Sequence, residues 1–256
     1  MAENTLGRFV WYDLMTTDPS AAQAFYTTVI GWGTMPYDGP MPYTMWTHDP
    51  GAPLGGVMEL PDDAKAGGVP PHWLAYISTP DCASTVQQAV ERGGVVHVEP
   101  REIPNEGMFA VLADPQGAVF AIFQAKSGIP VDAPPAVRQF SWHELAAADW
   151  EKAFDFYAAL FNWTKTDDMD MGEVGTYRMY GFGQWPLGGM FNKPAEMPVP
   201  GWLYYVRVPD VKEAVEAVKR EGGTVLNGPM EVPGGDFVAQ CLDPQGAAFA
   251  LHSTAE

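Results

Sequence analysis

The chain has 256 residues, 46% of them hydrophobic, and a formal net charge of −18. This length and apolar content suffice for two ordinary cores or one large one. The negative charge repels phosphate backbones and anionic lipid headgroups, so neither nucleic acid nor a membrane is expected as a partner. The opening MAENTLGRF shows no signal-peptide pattern, and no apolar run approaches the ~18 residues of a membrane span. A cytoplasmic protein is therefore expected.

The predicted elements of the first half alternate between strands and capped helices. A strand at 9–15 leads to Asp18, which can cap the following helix, and Pro19 suits its first turn. Apolar residues then recur at helical spacing and give this helix one buried face. Further strands follow, and a strand at 72–78 leads into a second capped helix and three more strands. The last of these follows the turn in DPQGAVFAIF at 114–123.

The second half of the chain repeats the first, motif by motif. The segment AADWEKAFDFYAALFNW at 147–163 matches TTDPSAAQAFYTTVIGW at 16–32, and PLGGMF at 186–191 matches PLGGVM at 53–58. The closing strand recurs as DPQGAAFALH at 243–252. Such self-similarity indicates an internal duplication, so both halves are predicted to share one fold.

The duplication predicts two modules, at 1–125 and 139–256, joined by a proline-rich linker at 126–138. Each module is predicted to contain two successive units, and each unit consists of a strand, a helix and three strands. In the second module, Asp210 and Glu213 predict a capping box for the second helix. The expected fold class is α+β, with tandem modules that each consist of two βαβββ units forming a curved sheet with helices outside.

This order of elements resembles the vicinal oxygen chelate superfamily, with FYTTVIGW and FYAALFNW closing the first helix of each half and DPQG before each last strand. That superfamily contains glyoxalase I, bleomycin-resistance proteins and extradiol dioxygenases. The resemblance covers nearly the whole chain and implies tandem glyoxalase-like modules. In metal-using members, the concave sheet face holds a cation that binds both oxygens of the substrate as Lewis acid and template.

The resemblance also implies three metal-ligand positions in each half, on the first, fifth and eighth strands. None of the side chains at these positions offers a donor that suits a divalent cation, so no metal cofactor is expected. A divalent metal is the alternative if the count of positions is wrong. His143 lies one residue from such a position and is expected to face the helices. The six positions are occupied by Trp11, Leu74, Ala121, Trp142, Leu203 and Ala250.

Alternation along the strands predicts which side chains line the two clefts. The candidate catalytic residues are Glu144, His252 and Asp13. A carboxylate can orient an imidazole that acts as a general base, so Glu144 is paired with His252, and Asp13 with His72. The plainer alternative is that these acids only bond neighbouring backbone or tyrosine hydroxyls. The candidate ligand-binding residues are Trp11, Met15, His72, Tyr76, Trp142, Tyr177 and Tyr205.

Three functions remain open from the sequence. The first is a metal-independent protein that holds an apolar or aromatic small molecule in an aromatic-lined cleft. The second is an enzyme of the same superfamily, a lyase, isomerase or oxygenase that uses Glu144 and His252 as acid–base residues or as relocated metal ligands. The third is a structural or interaction role. The expected partner is a small molecule, and the chain is either a monomer with an internal pseudo-dimer or a homodimer.

Overall fold

The computed structural model describes residues 6–39, 41–127 and 133–255, so residues 128–132 of the predicted linker lie outside the described residues. The first half contains β1 (Phe9–Thr16), α1 (Pro19–Val29), β2 (Gly33–Pro36), β3 (Thr44–Asp49), β4 (Ala52–Glu59), α2 (Asp62–Ala66), β5 (His72–Ser78), α3 (Cys82–Glu91), β6 (Val95–Ile103), β7 (Gly107–Ala113) and β8 (Val119–Ala125). The second half contains β9 (Phe140–Ala147), α4 (Trp150–Phe161), β10 (Thr164–Asp170), a 3-10 turn (Gly172–Val174), β11 (Thr176–Phe182), β12 (Trp185–Asn192), β13 (Gly201–Arg207), α5 (Val211–Arg220), β14 (Thr224–Glu231), β15 (Phe237–Leu242) and β16 (Ala248–Ser253).

The strands form two mixed eight-stranded sheets with the same strand order. One sheet runs β2-β3-β4-β1-β5-β8-β7-β6, and the other runs β10-β11-β12-β9-β13-β16-β15-β14. Each sheet contains two βαβββ repeats, in which the first strand pairs with the last in parallel and the remaining neighbours are antiparallel. The predicted α+β class with tandem modules is confirmed. The short helix α2 has no counterpart in the prediction.

The described residues group into two compact units. Each unit contains two βαβββ repeats, one from the first half of the chain and one from the second half. Unit 1 contains residues 75–127 and 142–202, together with the chain up to Trp11. Unit 2 contains residues 12–74 and 203–255, together with the segment that ends at Ser141. Helix α1 packs against α5 in unit 2, and α3 packs against α4 in unit 1. The compact units thus interleave the two sequence repeats.

A tyrosine–aspartate pair in each unit explains why two motifs recur. In unit 2 the Tyr26 hydroxyl donates to Asp243 Oδ2 at 3.1 Å, and Trp73 Nε1 donates to that hydroxyl at 3.0 Å. In unit 1 the Tyr157 hydroxyl donates to Asp114 Oδ2 at 3.2 Å. Burial raises the pKa of both carboxyls above its usual value. Each bond joins the first helix of one half to the DPQG turn of the other, so the two repeats share their cores.

The N-terminal caps of the helices agree with the sequence-based predictions, with one exception. Asp18 and Asp149 cap α1 and α4 as predicted, because their side chains accept from Ala21 N and Lys152 N. The capping box expected from Asp210 and Glu213 is wrong in its bond pattern. The Asp210 carboxylate accepts from the backbone N–H of Lys212 instead, one residue earlier. Among the described residues, no helix has the length and apolar character needed to cross a bilayer.

Candidate functional site

Four neighbouring strands of unit 2 present a surface, here called the methionine face, on the side opposite their buried core. On the core side, Leu14, Trp46 and Val57 are almost completely buried. On the other side, cross-strand pairing aligns Met35 with Met45, Met45 with Gly56, and Gly56 with Asp13, while Met58 pairs with Met15. All four methionines are half-buried. The methionine face consists of Met15, Met35, Met45, Met58, Tyr37, Tyr43, Gly56 and Asp13.

Asp13 is the one carboxylate of the methionine face, and it is already hydrogen-bonded within it. The Tyr43 hydroxyl donates to Asp13 Oδ1 at 2.6 Å, and the Asp13 residue is only 6% exposed. The Tyr43 ring lies over Gly56, where an added Cβ would overlap the ring. The second glycine of PLGG therefore lets the tyrosine lie flat on the strand and reach the acid on the neighbouring strand.

The equivalent strands of unit 1 carry a second such arrangement, here called the tryptophan face and defined by Trp142, Glu144, Tyr177, Met179, Gly189 and Phe191. Trp142 Nε1 donates to the Tyr177 hydroxyl at 2.7 Å, and that hydroxyl donates to Glu144 Oε2 at 3.0 Å. The Tyr177 ring lies over Gly189 and stacks on Phe191, with ring centroids 5.8 Å apart. Three of the predicted site residues, Trp142, Tyr177 and Glu144, are thus brought into one hydrogen-bonded chain.

The predicted residue His252 lies in unit 2, where both of its ring nitrogens have partners. His252 Nδ1 lies 2.9 Å from Ser141 Oγ, and Nε2 lies 3.0 Å from Asp236 Oδ2. Partial burial raises the pKa of the Asp236 carboxyl, but the hydrogen bonds from His252 and Ala255 N outweigh this effect and hold it below its usual value. The carboxylate that orients His252 is therefore Asp236, whereas Glu144 belongs to unit 1.

The other predicted ligand-binding residues differ in their surroundings. In unit 2, Tyr205 is buried, and its hydroxyl accepts from Gln240 Nε2 at 3.1 Å. In unit 1, Tyr76 is buried beside Phe109, with ring centroids 6.1 Å apart. His72 donates through Nδ1 to Pro70 O at 2.8 Å rather than to Asp13. Trp11 is half-buried on β1.

His143, the histidine closest to a metal-ligand position, lies inside the packed core of unit 1. Its residue is 5% exposed, and its ring stacks on Phe9 with centroids 3.7 Å apart and planes 6° from parallel. The Nδ1–H donates to Leu187 O at 2.7 Å, which leaves the lone pair on Nε2. Burial lowers the pKa of this imidazole from 6.5 to about 3, so it is neutral at physiological pH.

Similarity to known proteins agrees with this architecture. The chain belongs to the Glyoxalase/Bleomycin resistance protein/Dioxygenase superfamily, whose family model matches residues 8–122 and 139–251. It is 32% identical over 250 residues to "Putative glyoxylase CFP32" of Mycobacterium tuberculosis (strain CDC 1551 / Oshkosh), covering 94% of this chain and 92% of that protein. It is 30% identical over 260 residues to "Anthracycline biosynthesis protein DnrV" of Streptomyces peucetius, covering 96% and 92%.

Solved structures extend the similarity at the level of the fold. A Mn(II)-bound glyoxalase from Novosphingobium aromaticivorans superimposes with a TM-score of 0.65 at 14% identity, covering 100% of this chain and 84% of that one. The 2,3-dioxygenase LapB from Pseudomonas sp. KL28 gives a TM-score of 0.66 at 11% identity, covering 98% and 94%. At such identities the likeness concerns the fold alone.

The side chains on these strands do not fit the divalent cation that some superfamily members use. The ligand positions that the family resemblance implies carry tryptophan, leucine and alanine, which provide no suitable donor. Within the described part of the chain, no group of three or more His, Cys, Asp or Glu side chains is placed to hold a metal ion. Asp13 and Glu144 instead accept hydrogen bonds from tyrosines.

Several residues of these surfaces were missed in the sequence. Ser141 and Asp236 escaped notice because they come from distant segments and bear on His252 only once β9, β15 and β16 are assembled. The tyrosine-over-glycine arrangement had a visible signal, since Tyr-x-Met followed by PLGG occurs in both halves. Strand register was needed to show that the tyrosine, the second glycine and the acid of each half meet.

Proposed function

We propose that this protein binds a small apolar or aromatic compound without a divalent metal, and that the methionine face of unit 2 is its binding surface. The observation that carries the proposal is the convergence of four half-buried methionines, from four adjacent strands, around a single acid. Methionine is unbranched and polarizable, so it adapts its shape to varied apolar ligands. A surface of this kind suits a ligand held mainly by contact area.

The polar groups of the methionine face support an orienting role. The Tyr43 hydroxyl donates to Asp13 Oδ1 at 2.6 Å, which fixes a tyrosine and a carboxylate at one point of an otherwise apolar surface. The ring of Tyr37 lies 5.9 Å from that of Tyr43 at 81°, which offers both a face and an edge for an aromatic group. Small-molecule sites commonly combine an apolar lining with few placed polar groups, and this surface has that composition.

The relatives support a choice of compounds to test. Two of them carry the names of a glyoxylase and of an anthracycline biosynthesis protein. Planar polycyclic compounds, including an anthracycline, are therefore compared with small polar 2-oxo compounds. On the present proposal the planar apolar compounds bind, because the methionine face offers area and stacking rather than the metal that a pair of substrate oxygens would require.

The proposal is tested by calorimetric titration and thermal melting in the presence of a metal chelator. The variant Met45→Gln is expected to weaken binding of the best planar ligand roughly tenfold, because it places an amide where the ligand needs an apolar contact. The matched control is Met179→Gln, at the equivalent position of the tryptophan face in unit 1. We expect this control to retain affinity within about twofold, the scale of a substitution that touches no ligand.

Either of two outcomes would contradict the proposal. One is an equal loss of affinity in the two methionine variants, which would remove the methionine face as the binding surface. The other is the absence of a melting shift with every planar compound, because a ligand that binds only the native state must stabilise it.

A further inference from the structure

A serine, a histidine and an aspartate form a second constellation in unit 2, separate from the methionine face. Ser141 and His252 lie on β9 and β16, and Asp236 lies in the turn before β15. Ser141 Oγ is 2.9 Å from His252 Nδ1, and Asp236 Oδ2 is 3.0 Å from His252 Nε2. The three side chains therefore form one hydrogen-bonded chain in which the imidazole stands in the middle.

The hydrogen bonds determine which atom carries each proton. Asp236 has a depressed pKa and is ionised at neutral pH, so its oxygen can only accept, and His252 Nε2 must be the donor. In the neutral imidazole, Nδ1 then carries the lone pair and accepts the proton of the Ser141 hydroxyl. Ser141 Oγ also lies 3.4 Å from Tyr205 O, a longer and weaker contact. The hydroxyl is thus aimed at a base that is itself oriented by a carboxylate.

The surroundings keep this chain accessible and place a positive charge beside it. The His252 side chain is 18% exposed, and Ser141 is half-buried, so the hydroxyl is not sealed in a core. Arg207 pairs with His252 across β13 and β16, and its guanidinium donates to Pro135 O at 2.7 Å and to Thr254 Oγ1 at 3.0 Å. The charge of Arg207 also helps to lower the pKa of the Asp236 carboxyl, so a cation lies beside this hydrogen-bonded chain, where it would favour negative charge that develops on a reacting oxygen.

We infer that Ser141 is an activated nucleophile that accepts acyl groups from carboxylic esters, with His252 as its general base and Asp236 as the residue that orients the base. Ser141 Oγ attacks the ester carbonyl carbon while its proton passes to His252 Nδ1. The ester C–O bond then breaks, and the departing alcohol oxygen takes that proton. Water, deprotonated by His252, cleaves the acyl-serine to the free acid and restores the hydroxyl. The two ring nitrogens exchange the roles they have in the familiar serine hydrolases.

The test combines covalent labelling with ester turnover on the intact chain. Diisopropyl fluorophosphate is expected to add one diisopropylphosphoryl group at Ser141, located by peptide mass mapping, with loss of fluoride. Ser141→Ala is expected to abolish this label and to reduce cleavage of short-chain 4-nitrophenyl esters to background. His252→Gln is expected to slow labelling roughly 100-fold, the size of a lost general base, and Asp236→Asn to slow it at least tenfold. Thermal melting checks that each variant is folded.

Ser84→Ala serves as the control, because Ser84 is exposed on α3, where its backbone N–H donates to Asp81 Oδ1 and its hydroxyl accepts from Gln88 Nε2. It is expected to label at the wild-type rate. The inference is overturned if folded wild-type protein shows no label at Ser141. It is also overturned if His252→Gln labels as fast as wild type, because the hydroxyl would then not be activated by the imidazole.

Discussion

Replacing Gly188 by alanine is expected to lower the free energy of unfolding by about 3 kcal/mol or more, the upper range for overpacking a core. Gly188 is the first glycine of the second PLGG motif and pairs with His143 across the parallel strands β12 and β9. A Cβ at this position would overlap the carbonyl oxygen of His143 and lie 2.6 Å from the Tyr180 hydroxyl. The carbonyl belongs to the backbone, so relief requires the two strands to separate.

The loss of stability in Gly188→Ala is measured by urea unfolding and compared with the loss in two further glycine variants. Gly189→Ala meets the Tyr177 ring instead of backbone, so it is expected to cost less while displacing the ring from Glu144. Gly201→Ala is the neutral control, because the nearest atom to its added Cβ is Met197 Cε at 3.6 Å. Equal urea midpoints for the Gly188 and Gly201 variants would contradict the close approach of Gly188 to the His143 carbonyl.

Acid is expected to destabilise this protein through His143. Its pKa is about 3 in the folded chain against an ordinary value of 6.5, so between these values the unfolded chain binds a proton that the folded chain does not. Stability is therefore fully present above pH 6.5 and falls by about 1.4 kcal/mol per pH unit below it, or about 2 kcal/mol between pH 7 and pH 5. Asp114 and Asp243 act in the opposite sense, because burial raises their pKa.

The contribution of His143 is isolated by comparing unfolding in urea at several pH values. His143→Phe keeps a ring against Phe9 but leaves Leu187 O without this donor, at a cost of about 1–3 kcal/mol at neutral pH. Below pH 6.5, the free energy of unfolding of His143→Phe should no longer fall by about 1.4 kcal/mol per pH unit, because the titrating imidazole is absent. His97→Gln, at an exposed strand position, should keep the wild-type slope. An unchanged slope in His143→Phe would contradict the assignment.

The architecture was predictable because it depends on local signals that occur twice. Asp18 and Asp149 precede apolar helical patterns and cap α1 and α4. The repeated DPQG motifs predict turns, and in the structure Asp243 Oδ1 accepts from the backbone N–H groups of Gln245 and Ala247. Such bonds join residues a few positions apart, so sequence alone suffices to place them.

The surfaces were less predictable because they depend on register and on contacts between distant segments. The apolar residues at the ligand positions that the family resemblance implies could be identified from the sequence alone. The bond between Tyr43 and Asp13 could not, since it requires β3, β4 and β1 to be aligned so that Gly56 lies beneath the ring. Strand alternation predicted that Glu144 and His252 line one cleft, so the two were paired, yet the turn residue Asp236 is the carboxylate that contacts His252.

The two faces show how a duplicated scaffold diverges at equivalent positions. Both keep the tyrosine, the second glycine of PLGG and the acid. Around them, the methionine face has Met58 where the tryptophan face has Phe191. It also has Met35 opposite Met45, whereas the strand beside the tryptophan face has Asp167 opposite Met179. The shared elements shape the strand surface, while the differing ones make the methionine face the more apolar and adaptable of the two.

The most direct test of metal-independent binding is the metal content of the untagged protein, purified without chelators and measured by elemental analysis alongside its affinity for a planar ligand. We expect a metal-to-chain ratio near zero in protein that binds the ligand, because the ligand positions that the family resemblance implies carry tryptophan, leucine and alanine. A ratio near one Mn, Fe, Zn or Ni per chain, lost together with ligand binding on chelation, would contradict it.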